Sequence, residues 1–115
     1  MLLLAGCPSG RPAAAPVDAL DAIKQRGKLV VAMDVGYDPF EVRDKDGKIV
    51  GFDCDLAAEI GKDLGVPVEL LNVAWDGIIP HLTSNKVDVI LSGMSITPER
   101  QKTVAFSDPY YEVGQ

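Results

Sequence analysis

Leu29-Val30-Val31-Ala32-Met33-Asp34-Val35-Gly36-Tyr37-Asp38-Pro39-Phe40 decides the fold of this chain. Its opening run, Leu29-Val30-Val31-Ala32, is apolar without the alternation that a strand with one wet face would show. A run buried on both faces belongs in a parallel sheet with helices above and below it. The pattern predicts a strand over 28–33. The remainder, Asp34 to Phe40, then leaves the sheet at the strand's carboxyl end, where open α/β sheets place ligands.

Working outward, residues 18–26 read as a short helix closed by Gly27, with Leu20 and Ile23 on one face. After the loop, Glu41-Val42-Arg43 and Lys48-Ile49-Val50 flank the turn signal Asp46-Gly47, which predicts a small hairpin. Asp53 is the expected N-cap of a helix over 54–64 that Gly65 ends. Phe52, Leu56, Ile60 and Leu64 recur every four residues and form its expected core stripe, with Cys54 off that stripe as a half-buried filler. Residues 66–72 follow as a second strand carrying Val68, Leu70 and Leu71. A helix opens at Trp75-Asp76-Gly77-Ile78-Ile79-Pro80-His81-Leu82, with Ile78, Ile79 and Leu82 inward and His81 toward solvent. Residues 87–91 form a third buried strand. Val104-Ala105-Phe106 and Tyr110 to Val113 read as extended pieces around a Ser-Asp-Pro turn. The sum is an α/β fold, a βαβαβ pattern with a mainly parallel sheet and right-handed crossovers.

The third strand runs into Ser92-Gly93-Met94-Ser95-Ile96-Thr97-Pro98-Glu99-Arg100. Thr97 is suited to cap a short helix and Pro98 to begin it. Gly93 removes a side chain where a ligand would approach the backbone, Ser95 and Thr97 add hydroxyls, and Arg100 adds a planar fork of donors that matches a carboxylate. Local sequence leaves two readings open: a seat for a small carboxylate, or a plain helix cap with a surface arginine.

The chain has 115 residues, enough for one small domain, with ordinary hydrophobic (47%) and charged (24%) content. A formal charge of −6 offers no basic stripe for phosphates, so nucleic acid is not an expected partner. Two cysteines and one histidine give no zinc-ligand spacing, and no metal or cofactor is expected. Any Ser-His or Cys-His nucleophile would have to rest on His81, which has no neighbour to orient it.

Residues 1–7, Met-Leu-Leu-Leu-Ala-Gly-Cys, resemble the end of a bacterial lipoprotein signal, with Cys7 as the residue that would be lipidated. The basic start and long apolar run of a working signal do not precede it, so the signal is expected to be truncated. Residues 8–16, rich in proline and small residues, read as an extended tether. Residues 17–115 are the expected folded part.

Six blocks in order carry a resemblance: Asp34-x-x-Tyr37-x-Pro39-Phe40, Gly51-Phe52-Asp53-x-Asp55-Leu56, Trp75-Asp76-x-Ile78-Ile79-Pro80, Lys86-x-Asp88, Gly93-Met94-Ser95-Ile96-Thr97-Pro98-Glu99-Arg100, and Phe106-Ser107-Asp108-Pro109-Tyr110-Tyr111. The chain resembles the periplasmic solute-binding proteins of ATP-driven (ABC) importers, in the polar amino-acid-binding group (bacterial extracellular solute-binding proteins, family 3). The resemblance implies the first lobe, incomplete, of a type II periplasmic-binding-protein fold, with the second lobe and hinge absent. It implies a protein at the periplasmic side or cell surface, held there by lipid if the Cys7 motif is processed, with an amino acid as ligand and membrane permease subunits as partners. It implies that Arg100 pairs with the ligand's α-carboxylate and that Gly93 and Ser95 contact its headgroup. Tyr37 and Trp75 would line the ligand side chain, and Asp34 would reach a polar end from the cleft edge. One wall of a two-walled clamp is expected to bind amino acids very weakly and to leave an apolar edge exposed.

Two further readings share this fold. One is a periplasmic enzyme, a dehydratase or lytic transglycosylase, with Asp34, Asp38 and Glu41 as candidate acid/base groups. Against it, Asp38 sits before a turn proline and no base–nucleophile pair is evident. The other is the ligand-sensing module of a receptor. The identity of the amino acid is not expected to be legible.

Overall fold

The computed structural model describes residues 18–112. Its elements run α1 (Ala19–Arg26), β1 (Leu29–Met33), β2 (Val42–Arg43), β3 (Ile49–Val50), α2 (Phe52–Leu64), β4 (Val68–Asn72), α3 (Trp75–Thr83), β5 (Val89–Ile90) and α4 (Pro98–Gln101). The expected signal and tether over residues 1–16 lie outside the described residues.

All five residues of β1 are buried, as the unbroken apolar run requires. β1 is the middle strand of a parallel sheet in the order β4-β1-β5. It pairs with β4 from Leu29↔Val68 to Met33↔Asn72 and with β5 at Val31↔Val89 and Ala32↔Ile90. Alternate side chains of β1 feed two different cores. Leu29, Val31 and Met33 meet Ile23 of α1 and Cys54 and Ala57 of α2. Val30 and Ala32 meet Val73, Val87 and Ile78 of α3. The sheet is therefore covered on both faces, and the α/β class with a mainly parallel sheet is what the chain adopts. β2 and β3 form the expected antiparallel hairpin, with Val42 opposite Val50. Asp44 closes its turn by accepting the Asp46 and Lys48 N–H groups, both at 2.9 Å.

Several local expectations are corrected. Leu20 is 48% exposed, and only Ile23 of α1 reaches the core. The N-cap of α2 is Gly51, not Asp53. A Cβ on Gly51 would lie 2.4 Å from the Phe40 carbonyl oxygen, so a glycine lets the chain start the helix against the preceding loop. Asp53 falls inside the helix and is buried. The deepest face of α2 is Cys54, Ala57 and Gly61, with Leu56, Ile60 and Leu64 flanking it and Phe52 largely exposed. Small residues win that face because α2 packs closely: a Cβ on Gly61 would lie 2.3 Å from Val68 Cγ2. His81 is half-buried, its Nδ1 2.8 Å from the Gly77 carbonyl, rather than turned to solvent. The strands are shorter than expected.

Candidate functional site

The carboxyl ends of β1 and β5 open onto a cavity of about 360 Å³. Asp34, Val35, Gly36 and Tyr37 from the loop after β1 form one side. Trp75 at the start of α3, Ser92 and Gly93 after β5, and Glu41 before β2 complete it. This is the position that the parallel sheet dictates for a ligand. The expected residues Asp34, Tyr37, Trp75 and Gly93 thus come together. Ser95 and Arg100 do not line this cavity. Arg100 lines a neighbouring one of about 460 Å³ with Ile79, Thr97, Glu99 and Thr103.

Trp75 joins the two. Its backbone N–H donates to Asp34 Oδ2 at 3.1 Å. The Arg100 guanidinium lies over its ring, 5.5 Å from the centroid. Arg100 is positioned by the expected local device: Thr97 caps α4, accepting the Arg100 N–H at 3.2 Å, and Pro98 is the first helical residue. Arg100 Nη1 donates to the Ser95 carbonyl at 2.8 Å, and the side chain makes no ion pair among the described residues. An acidic group and a guanidinium fork therefore both contact Trp75, one at its backbone and the other at its ring. Tyr37 and Trp75 are 47% and 39% exposed, so both offer ring surface to a guest.

Gly93 has φ 56°, and a Cβ there would meet Tyr37 Cε1 at 2.6 Å. Glycine at this point lets the tyrosine ring lie against the loop. The Gly93 N–H is taken by Asp53 Oδ2 at 2.9 Å.

Glu41 and Ser92 of the cavity wall belong to a polar cluster that sequence reasoning, although it names Glu41, does not assemble. Glu41 and Asp53 are fully buried and Ser92 nearly so. The Ser92 hydroxyl donates to Glu41 Oε1 and accepts the Asp34 N–H at 2.9 Å. Asp53 Oδ1 accepts the Tyr110 hydroxyl at 2.8 Å. Burial pushes the Glu41 carboxyl up to about 8, the Ser92 hydrogen bond opposes this, and Asp53 beside it raises it further. Burial, with Asp53 next, also raises the Tyr110 phenol. Burial raises the Cys54 thiol, with Glu41, Asp53 and Asp55 adding to it, so this cysteine is a filler with its Sγ 3.8 Å from Met33 Sδ. The available signal is Glu41 itself, an acid lodged between apolar Phe40 and Val42 at the start of a strand.

Residues 29–115 match the bacterial extracellular solute-binding proteins, family 3, and the chain belongs to that family. Among characterised relatives, it is 38% identical over 91 residues to the L-cystine-binding protein TcyJ of Escherichia coli K12, covering 79% of this chain and 34% of that protein. It is 38% identical over 111 residues to the arginine-binding extracellular protein ArtP of Bacillus subtilis, covering 96% of this chain and 43% of that one. The chain thus spans about a third to two fifths of the curated relatives it matches. The arginine-bound form of domain 1 from TmArgBP superposes with a TM-score of 0.78 at 54% identity, over 79% of this chain and 72% of that domain. The likeness to that domain agrees with the expected first-lobe fold. That a first domain is described on its own with arginine bound runs against the expectation that one wall binds poorly, for that protein.

Proposed function

We propose that this chain is the ligand-gripping first lobe of an amino-acid-binding protein of an ABC importer, and that its ligand is a basic amino acid such as arginine. One observation carries the reading: Trp75 links an acid to a guanidinium, its backbone N–H donating to Asp34 Oδ2 at 3.1 Å and its ring lying 5.5 Å from the Arg100 guanidinium. An α-amino acid with a cationic side chain presents the complementary series, a carboxylate, an apolar stem and a positive end. Arg100 would receive the carboxylate through its fork of donors, Trp75 and Tyr37 would cover the stem, and Asp34 would meet the cationic end. The Gly93 carbonyl and Ser95 would accept from the α-amino group. The names of the relatives support a basic or polar amino acid, and the arginine-bound domain 1 of TmArgBP supports a lobe that holds ligand by itself.

In this reading the chain is a binder and not an enzyme. Of the acids weighed for catalysis, Glu41 is fully buried and Asp38 lies exposed in the turn. The remaining parts of the reading are a permease partner, a periplasmic or cell-surface location, a lipid anchor on Cys7, a tether over residues 8–16 and a second lobe facing this one.

The test is a calorimetric titration of the chain with arginine, lysine, histidine, glutamine, cystine and glutamate. Saturable binding of the basic members, with glutamate weakest, supports the reading. Saturable binding of none of them by this chain, or by a protein that carries it as its first lobe, overturns it.

A further inference from the structure

We propose that Glu41 is a positioning residue for the ligand-facing wall, acting through Ser92 on the Asp34 backbone and, together with Asp53, on Gly93. The inference rests on the amino-acid-binding reading above, which it deepens by adding a regulation of that site.

Glu41 is 0% exposed, and its Oε2 is a buried oxygen with no hydrogen-bond partner among the described residues. Its Oε1 is held by the Ser92 hydroxyl, and the same hydroxyl accepts the Asp34 N–H. One oxygen of Ser92 therefore ties the buried acid to the first residue of the ligand loop. Asp53, also 0% exposed, does the same for the other side of the cavity by accepting the Gly93 N–H. Two buried carboxyls without a neighbouring cation cannot both be charged at ordinary cost. Asp53 has two donors, Gly93 N–H and the Tyr110 hydroxyl, whereas Glu41 Oε2 has none, so the proton belongs on Glu41.

The titratable groups that face Glu41 are Asp34 from the loop after β1, Asp53 and Cys54 from α2, and Tyr110 from the carboxyl-terminal segment. All are acids, and none offers a positive charge to compensate an ionised Glu41. The neutral form fits the pocket. Removing its proton puts an uncompensated charge beside Asp53 and against the wall that carries Asp34 and Gly93. The wall then holds its ligand-ready geometry only in the protonated fraction of molecules, and apparent affinity falls with that fraction.

The experiment follows the ligand-free chain by NMR between pH 6 and pH 10, reading the Glu41 side-chain carboxyl carbon and the backbone amides of Asp34 and Gly93. The expected result is one step near pH 8 shared by all three signals, absent from the two amides in Glu41→Gln. If Glu41→Gln does not fold, Ser92→Ala replaces it: Glu41 still titrates and the Asp34 amide no longer follows. L-arginine is then titrated into wild type and Glu41→Gln at each pH. Wild-type affinity is expected to fall about tenfold for each pH unit above the step relative to the variant, which carries the ligand's own titration.

A Glu41 carboxyl that titrates in the ordinary range below pH 6 overturns the proposal, as do amides that ignore its step. Coupled steps without arginine binding keep the positioning role and reject the ligand reading. Arginine binding with the same pH profile in both proteins keeps the ligand reading and rejects the positioning role.

Discussion

The guanidinium of Arg100 lies over the ring of Trp75, 5.5 Å from its centroid, while Nη1 is held by the Ser95 carbonyl. The ring contact and the Ser95 carbonyl hold the guanidinium and leave its other donors to a guest carboxylate. A lysine would keep the charge and lose the plane, the second donor pair and most of the stacking. Arg100→Lys is therefore expected to weaken amino-acid binding about tenfold or more while leaving the unfolding midpoint nearly unchanged. Trp75 is the one tryptophan of the chain, so its fluorescence reads both quantities.

Asp34→Asn separates charge from shape. The amide oxygen still accepts the Trp75 N–H that Oδ2 accepts at 3.1 Å, so the start of α3 stays in place. Arginine and lysine are expected to lose about tenfold in affinity, the difference between a charge-assisted and a neutral hydrogen bond, and glutamine little. Calorimetry across the three ligands checks this, and equal loss for all of them contradicts it.

Gly93→Ala should damage fold and site together. Its φ of 56° is unfavourable for alanine, and the new Cβ would meet the Tyr37 ring at 2.6 Å. A loss of about 1–3 kcal/mol in urea unfolding is expected. The Tyr37 ring resonances should move with it, because the ring must leave the loop to make room.

The pH dependence of stability follows from Glu41. Its carboxyl is raised from 4.5 to about 8 in the folded chain, mainly by burial, so between those values the native state holds a proton that the unfolded state has lost. Stability from this group is fully present below pH 4.5, falls as the pH rises and levels off above about pH 8. Within that window the slope is about 1.4 kcal/mol for each pH unit. Urea midpoints measured from about pH 5 to about pH 9 should decline in wild type, and Glu41→Gln should remove most of that decline.

How much of this is legible in the sequence follows from how local each signal is. The unbroken run of β1, the Asp44 to Lys48 hairpin turn and the Thr97-Pro98 start of α4 are short-range patterns, and each can be read directly. The four-residue stripe of α2 fails at Phe52 because that ring, at the first residue of the helix, packs on Phe40, Tyr110 and Tyr111 outside the two cores, and such distant partners leave no local trace. Asp53 reads as a cap because caps and buried acids use the same residue. Only the long-range contacts with Gly93 and Tyr110 distinguish them. Tyr37, Trp75, Gly93 and Asp34 can be nominated from loops at strand ends, whereas the bond from Ser92 to Glu41 spans 51 residues and leaves no local trace.

The most direct test of the central claim compares L-arginine with agmatine, the same molecule without its α-carboxylate, on wild type and Arg100→Ala in a four-way calorimetric cycle. If Arg100 grips the carboxylate, removing either partner costs the same large factor, and removing the second adds little. Agmatine binding wild type as tightly as arginine does, or the two losses simply adding, would contradict the account.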